Sequence, residues 1–239
     1  MTSYGRLFLI PNLLGVVPPQ TVLPQRTLDI ARALTHFVVE TPKAARAFIK
    51  ALPSAHPLPE IALSELNEHT AREGVESLLE PALAGHDLGL VSDAACPGVA
   101  DPGALLVAAA HRAGVTVVPL VGPSAVLLAL MASGMNGQNF AFHGYLPVPL
   151  PARMAQLKSL DDAVASTGAT QLFIETPYRN EAMLETTLKV CRPATQFAVA
   201  VDLTLPSEQV ASRTIGEWRK TARLVLAKRP AVFLLGRGA

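Results

Sequence analysis

Two cysteines in 239 residues, Cys96 and Cys191, with no C-x-x-C spacing, exclude a disulfide scaffold and offer no zinc knuckle. The six histidines (36, 56, 69, 86, 111 and 143) are scattered without an H-E-x-x-H pair, so a histidine-based metal centre is not expected. Charge is also scarce: charged residues are 16% of the chain and the net charge is +1, which gives no global lean towards nucleic acid or an anionic surface. The longest apolar stretch, Val115 to Met131, is broken by Pro119, Gly122, Pro123 and Ser124, so it does not read as a membrane span. MTSYGRLFLIP at the N-terminus lacks the apolar length and small-residue cleavage site of a secretory leader. A soluble, cytoplasmic protein is therefore expected, without membrane contact. No G-x-G-x-x-G or G-x-x-x-x-G-K occurs, which removes the common dinucleotide and phosphate loops. Gly122-Pro123-Ser124-Ala125-Val126 fails the nucleophile-elbow pattern at its last position.

What the chain does have is hydrophobic residues, 50% of the total, arranged in short β-rich runs that alternate with helical patterns. RLFLIP (6–11), HFVVE (36–40), EIALSEL (60–66), DLGLVSD (87–93) and VTVVPL (115–120) read as strands buried on both faces. Between them, TPKAARAFIKAL offers Thr41 as a cap, Pro42 at the first helical position and one apolar face of Ala44, Ala45, Phe48, Ile49 and Leu52. Gly103 to Arg112 reads as a helix ended by Gly114. This alternation predicts crossover units and a largely parallel sheet. Beyond Leu120, strand patterns at NFAFHGYLP, ATQLFIE, QFAVAVDLT, EQVASRTI and AVFLLGRG include neighbours joined at LPSE that look antiparallel. The expected fold is α/β, with an N-terminal domain over 1–120 on a largely parallel sheet and a C-terminal domain over 121–239 on a mixed sheet.

The loops after the strands hold the residues that are hard to explain by folding alone. In open α/β sheets, ligands sit outside the carboxyl ends of the strands. LVSDAACPGVADPGA (90–104) follows one such end and packs Ser92, Asp93 and Asp101 among prolines and glycines. Asp101-Pro102-Gly103 also reads as a helix start, with Asp101 as cap and Pro102 at the first position. VGPSAV (121–126) and ETPYRN (175–180) occupy equivalent places; Ser124 and Thr176 can cap the helices that follow, and Arg179 is either a surface helix residue or a partner for an anion. Cys96 lies inside the first loop, where a small, partly buried thiol is the simpler account and a nucleophile the sharper one. Charge is uneven along the chain: Glu60–Asp93 holds eight acids against one base, and Arg213–Ala239 seven bases against one acid. A basic terminal segment of that kind can meet phosphate, or can simply be a solvated face.

Taken in order, SDAACPGVADPGALLV (92–107), VTVVPLVGPSA (115–125) and GYLP (144–147) resemble the tetrapyrrole methylase superfamily of S-adenosylmethionine-dependent methyltransferases. The branch most similar is the one that methylates a ribose 2′-hydroxyl in small-subunit ribosomal RNA. That branch reads SDAGTP, three residues, then DPG; here Ala95-Cys96-Pro97 stands for GTP, and Asp101-Pro102-Gly103 keeps the spacing. LIPNLLG (9–15), ETPYR (175–179) and AVDLT (200–204) stand where the branch has its first loop, an E-S/A-P-x-R-like turn and ARELT, so the resemblance runs almost end to end. It implies a homodimer of two-domain subunits that use S-adenosyl-L-methionine in a cleft between the domains. It also implies cofactor contacts at Pro11, Ser92, Asp93, Ala94, Ala95, Pro97, Asp101, Gly122, Pro123, Ser124, Ala125, Tyr145, Glu175, Pro177 and Leu203. No metal is implied.

Two departures bear on the acceptor. Glu40-Thr41-Pro42-Lys43 stands where the ribose branch has an EDTR-like stretch, and Val201-Asp202 replaces the Arg-Glu of ARELT. A ribose hydroxyl needs a base before it becomes a good nucleophile, and Glu40 and Asp101 are the candidates, each with a structural alternative. The expected function is methyl transfer to ribosomal RNA, with the basic C-terminal segment contacting phosphate. The alternatives are a small-molecule or tetrapyrrole methyltransferase, and a non-catalytic module that binds the cofactor. The tetrapyrrole reading is disfavoured by a first loop unlike G-x-G-x-G-D and by an aromatic content of 5%.

Overall fold

The computed structural model describes residues 4–67, 69–71, 74–222 and 224–238. Two units divide the chain, Met1–Ser124 and Ala125–Ala239. In the first, β1 (Arg6–Leu9), β2 (His36–Val39), β3 (Ala62–Glu65), β4 (Leu88–Val91) and β5 (Thr116–Pro119) form a parallel sheet in the order β3-β2-β4-β1-β5. The short apolar runs become strands because successive side chains feed two cores. Phe8, Ile10, Phe37, Val39 and Val91 face α1 (Gln25–Ala33) and α2 (Pro42–Ala51), while Leu7, Val38, Leu88 and Leu90 face α3 (Glu80–Leu83) and α4 (Gly103–Ala113). Gly89 lies in the middle strand because a Cβ there would stand 2.8 Å from both Ile10 Cδ1 and Phe37 Cδ1. Helices on both faces follow from crossovers that run in opposite directions.

Burial on both faces holds for β4, whose four residues are all buried, but not for β3 and β5. These two are the sheet edges and expose residues such as Ala62 and Thr116, because each has a neighbour on one side only. The expected cap at Asp101 moves by one residue: α4 starts at Gly103 with Pro102 at the capping position. Gly114 does end α4, at φ 74° in the left-handed region.

The second unit holds β6 (Phe140–Tyr145), β7 (Thr170–Ile174), β8 (Gln196–Val201), β9 (Gln209–Thr214) and β10 (Ala231–Gly236) in the order β6-β7-β10-β8-β9. β6 and β7 are parallel and the other pairs antiparallel, so the sheet is mixed. Phe173, Phe233 and Phe197 stack across β7, β10 and β8, with centroids 5.6 and 6.2 Å apart. Trp218, in α8 (Ile215–Trp218), is fully buried against Phe197 and donates from Nε1 to its carbonyl at 2.8 Å. α6 (Leu150–Thr167) and α7 (Asn180–Val190) bury Leu157, Leu160, Met183 and Leu184 in the same core, and α5 (Ala125–Ser133) opens the unit. α7 begins at Asn180 with Arg179 at the capping position, so Thr176 does not cap it: residues 177–179 form a turn closed by the Arg179 N–H on the Thr176 carbonyl at 2.9 Å.

Candidate functional site

The crossover from β1 leads to one side of the first sheet and that from β4 to the other, so the topological switch point falls between these neighbours. A ligand crevice is expected there, at the carboxyl ends. One residue ties the two loops together. Asn12, 6% exposed, donates from Nδ2 to the carbonyls of Ser92 (2.9 Å) and Asp93 (3.1 Å), and its main-chain N–H donates to the Ala95 carbonyl at 2.8 Å. Its Oδ1 accepts from the N–H of the next residue, Leu13, at 2.7 Å, a local bond at the exit from β1.

The loop after β2 is fastened to the same place. Thr41 stands at the capping position of α2, but its hydroxyl donates to Asp93 Oδ2 at 2.7 Å and its N–H to Asp93 Oδ1 at 3.1 Å. Glu40 Oε2 accepts from the Asp93 N–H at 3.1 Å. Farther along, both Asp101 carboxylate oxygens accept from the Gly98 N–H at 2.9 Å, and Oδ1 also accepts from the Gly103 N–H at 2.7 Å. Burial pushes the Asp101 carboxyl above its usual range, while these backbone donors pull the other way. Asp101 thus staples the loop to the start of α4, and a Cβ on Gly103 would meet its Oδ1 at 2.7 Å.

The loop after β5 closes the cluster. Gly122 lies so near the first loop that a Cβ would stand 2.4 Å from Pro11 Cβ. Thr27 of α1 donates its hydroxyl to the Val121 carbonyl at 2.8 Å, and the Cys96 thiol contacts the Pro123 carbonyl at 3.5 Å. Burial first, and the Asp101 charge second, raise the Cys96 thiol, so it stays protonated near neutral pH and is no ready nucleophile. Ala95 and Ala100 sit at φ 58° and 62°, a left-handed conformation that costs an L residue about 1–2 kcal/mol. Pro11, Ser92–Pro97, Asp101 and Gly122–Ser124 therefore converge on one edge of the first sheet, framed by backbone and small side chains. Asn12 was not singled out from the sequence; an Asn directly after a strand and a proline was the available signal.

At the carboxyl ends of β6, β7 and β8 in the second unit lie Tyr145, Glu175, Pro177 and Leu203. Glu175 has a fully buried side chain, and its Oε1 accepts from Arg179 Nη2 at 2.6 Å. This hydrogen bond, above all, raises the Arg179 pKa. Asn180 donates to the Arg229 carbonyl at 2.6 Å, and Arg229 Nε pairs with Asp202 Oδ2 at 2.8 Å. Asp202 and Thr204 adopt φ 51° and 71° at this edge, Thr204 being β-branched and so strained. Among the basic C-terminal residues, Arg219 donates to the carbonyls of Leu188 and Cys191, and Arg213 lies over the Trp218 ring at 5.0 Å. Arg237 donates to the Ala165 carbonyl, Lys220 and Lys228 are exposed, and Arg223 lies outside the described residues.

The family model for tetrapyrrole (corrin/porphyrin) methylases matches residues 22–218. A ribosomal RNA small subunit methyltransferase I of Vibrio cholerae serotype O1 is 31% identical over 211 residues, which are 88% of this chain and 69% of that protein. Its namesake in Escherichia coli O157:H7 is 30% identical over 215 residues, 90% of this chain and 71% of that protein. Among solved structures, the methyltransferase CobJ superposes with a TM-score of 0.64 at 20% identity, covering 98% of this chain and 95% of that one. The cobalt precorrin-4 methyltransferase CbiF gives 0.60 at 16% identity, over 97% and 94%. At such identities the two structures speak for the fold alone.

Proposed function

The chain belongs to the tetrapyrrole methylase family and is a methyltransferase; from that premise we propose that it transfers a methyl group from S-adenosyl-L-methionine to a ribose 2′-hydroxyl of small-subunit ribosomal RNA. The observation that supports this acceptor is the likeness, over most of the chain, to bacterial enzymes named for small-subunit ribosomal RNA. The switch-point loops fit the cofactor. Ala94 and Ala95 keep side chains short, Gly122 leaves no room for a Cβ beside Pro11, and the main chain is fixed by Asn12, Thr41 and Asp101. Pro11, Ser92–Pro97 and Gly122–Ser124 would hold it, and the contacts the resemblance adds at Ala125, Tyr145, Glu175, Pro177 and Leu203 belong to the same proposal. A homodimer, a cytoplasmic location and phosphate contacts from the basic C-terminal segment are also part of it.

When bound, S-adenosylmethionine supplies a methyl group already activated on a sulfonium. The protein's task is to fix the reactants and keep water out, which is worth roughly 7–11 kcal/mol of the barrier for well-oriented partners. The acceptor proton needs a base, and the geometry favours Glu40 over Asp101. Asp101 holds the loop through the N–H groups of Gly98 and Gly103, and taking up a proton would weaken that hold. Calorimetry of S-adenosylmethionine with wild type and Ser124→Trp, followed by methyl transfer to small subunits from a strain lacking the ribose methylation, tests the proposal. Binding that Ser124→Trp abolishes, together with transfer to the RNA, is the expected result. Binding without transfer would leave the non-catalytic module, and no binding by folded protein would sink the proposal.

A further inference from the structure

The second unit gathers its unexplained polar atoms in one place. Of the buried side-chain nitrogens and oxygens without a hydrogen-bond partner among the described residues, Glu175 Oε2, Arg179 Nε, Asn180 Oδ1 and Thr204 Oγ1 all lie just beyond the carboxyl ends of β7 and β8. The fifth, Arg153 Nε, belongs to a side chain whose Nη1 donates to the Val148 carbonyl, three residues after β6 ends on this same edge. Buried polar groups are nearly always satisfied, so such a concentration calls for a ligand or water. The same edge carries two of the chain's three tyrosines, and both are exposed: Tyr178 at 83% and Tyr145 at 56%. Beside Tyr178, the Arg179 guanidinium is aimed by a carboxylate that has no surface of its own. The exposed Lys228 sits in the loop that returns to this edge at Ala231.

Exposed aromatic faces interleaved with cations are what a single-stranded nucleotide recognises: the ring stacks on the base and the guanidinium meets phosphate. We infer that, beside the cofactor contacts proposed at Tyr145, Glu175, Pro177 and Leu203, the exposed rim of this edge seats a nucleotide of the RNA acceptor, with Tyr178 as the stacking face and Arg179 as the phosphate contact. Glu175 is a positioning residue that acts through Arg179. The inference rests on the RNA reading above and adds to it the residues that touch the acceptor. Exposed apolar residues such as Val148 and Val225 lie on the segments that flank this edge, but Arg179 follows the ring directly and the exposed Lys228 lies on the returning loop, so a chain that carries phosphates fits better than an apolar protein face.

Two variants separate the roles. Tyr178→Ala and Arg179→Met are titrated with a labelled mixed-sequence single-stranded RNA by fluorescence anisotropy at several salt concentrations, and with S-adenosylmethionine by calorimetry. Stacking of one base corresponds to about a five- to hundredfold change in affinity, so Tyr178→Ala should weaken RNA binding by at least fivefold with an unchanged salt slope. Tyr178→Phe, which keeps the ring, should restore it. Arg179→Met should instead lower the slope of log affinity against log salt by about one, the signature of one lost phosphate contact. Cofactor affinity should not move in Tyr178→Ala, whereas Arg179→Met, which leaves the buried Glu175 carboxylate without its partner, is read by the salt slope. RNA binding by Tyr178→Ala equal to wild type overturns the inference alone. Loss of cofactor binding in Tyr178→Ala would assign Tyr178 itself to the cofactor and overturn it too. Failure of wild type to bind or methylate any RNA would overturn the RNA reading itself.

Discussion

Asn12→Ala is the most direct test of how the switch-point loops are held. Truncation removes three hydrogen bonds of a buried side chain: two donated from Nδ2 to the Ser92 and Asp93 carbonyls, and one accepted by Oδ1 from the Leu13 N–H. At about 1 kcal/mol net for each, the loss is about 3 kcal/mol. For a chain of this length, 1 kcal/mol moves the midpoint by about 2–4 °C, so the transition that reports the first unit should fall by about 6–12 °C. The main-chain bond from Asn12 to Ala95 survives, so the loop loosens without detaching. Cofactor affinity should then drop about tenfold or more, the equivalent of 1.4 kcal/mol of lost preorganisation. Asn12→Asp keeps the shape but turns a carboxylate oxygen towards two carbonyls, and it should be at least as damaging. Scanning calorimetry and cofactor titration of both variants decide the matter. Midpoints within about 2 °C of wild type and an unchanged Kd would refute the claim that Asn12 joins the loops.

Three further outcomes follow from the same geometry. Thr41→Val removes the hydroxyl that holds Asp93 Oδ2, about 1 kcal/mol, and should lower the melting midpoint by about 2–4 °C and weaken S-adenosylmethionine binding by about fivefold; an unaltered titration would count against it. Gly122→Ala forces a methyl group against Pro11, and should destabilise by about 1–3 kcal/mol and suppress cofactor binding; normal binding would show that the two loops need not approach so closely. Asp87 pairs with Arg6 at 2.6 Å at the opposite edge of the sheet, and the hydrogen bond from that guanidinium, first among the causes, holds its carboxyl below the usual range. A depressed folded-state pKa gives stability that is present above the unfolded value near 3.9 and is lost as the pH falls through the folded one. The pair is largely exposed, so Asp87→Asn should cost under about 1 kcal/mol in urea at pH 7, and that gap should close in acid; a gap that persists there would be inconsistent with the pairing.

The strands and their alternation with helices were legible because buried runs such as LGLV have no other way to satisfy both their apolar side chains and their backbone. Exposure along a strand was not, since β3 and β5 differ from β4 only in lying at the sheet edges, and edge position is set by topology. α1 was not identified either: its QRTLDIARA has only Leu28 and Ala31 as buried apolar residues and begins after Pro24 with no side-chain cap. Around the site, the loops themselves were apparent from Gly and Pro placement, as was the closeness of Asp101 to a helix start. The fastenings were not. Asn12 reaches Ser92 across 80 positions and Thr41 reaches Asp93 across 52, and no local pattern records a hydrogen bond of that span. Thr41 could be read only as a cap, because its partner comes from another strand exit.

The stretch from Ala94 to Pro97 is pinned at both flanks by atoms outside itself: the Asn12 side chain on Ser92 and Asp93 and Thr41 on Asp93 before it, and the Asp101 carboxylate on Gly98 after it, with the Ser92 hydroxyl and the Asn12 N–H bonded to its Ala94 and Ala95 carbonyls. Its own side chains add little beyond the contact of Cys96 with the Pro123 carbonyl. Shape and composition are thereby uncoupled in this loop. Mutational drift can exchange glycine for Ala95, or threonine for Cys96, at a modest conformational penalty while the path of the main chain persists. What drift cannot do cheaply is alter Asn12, Thr41 or Asp101, which lie in other parts of the chain or at the loop's far end. Tolerance to substitution in this enzyme should therefore be highest where the loop itself runs, and lowest at the residues that pin it.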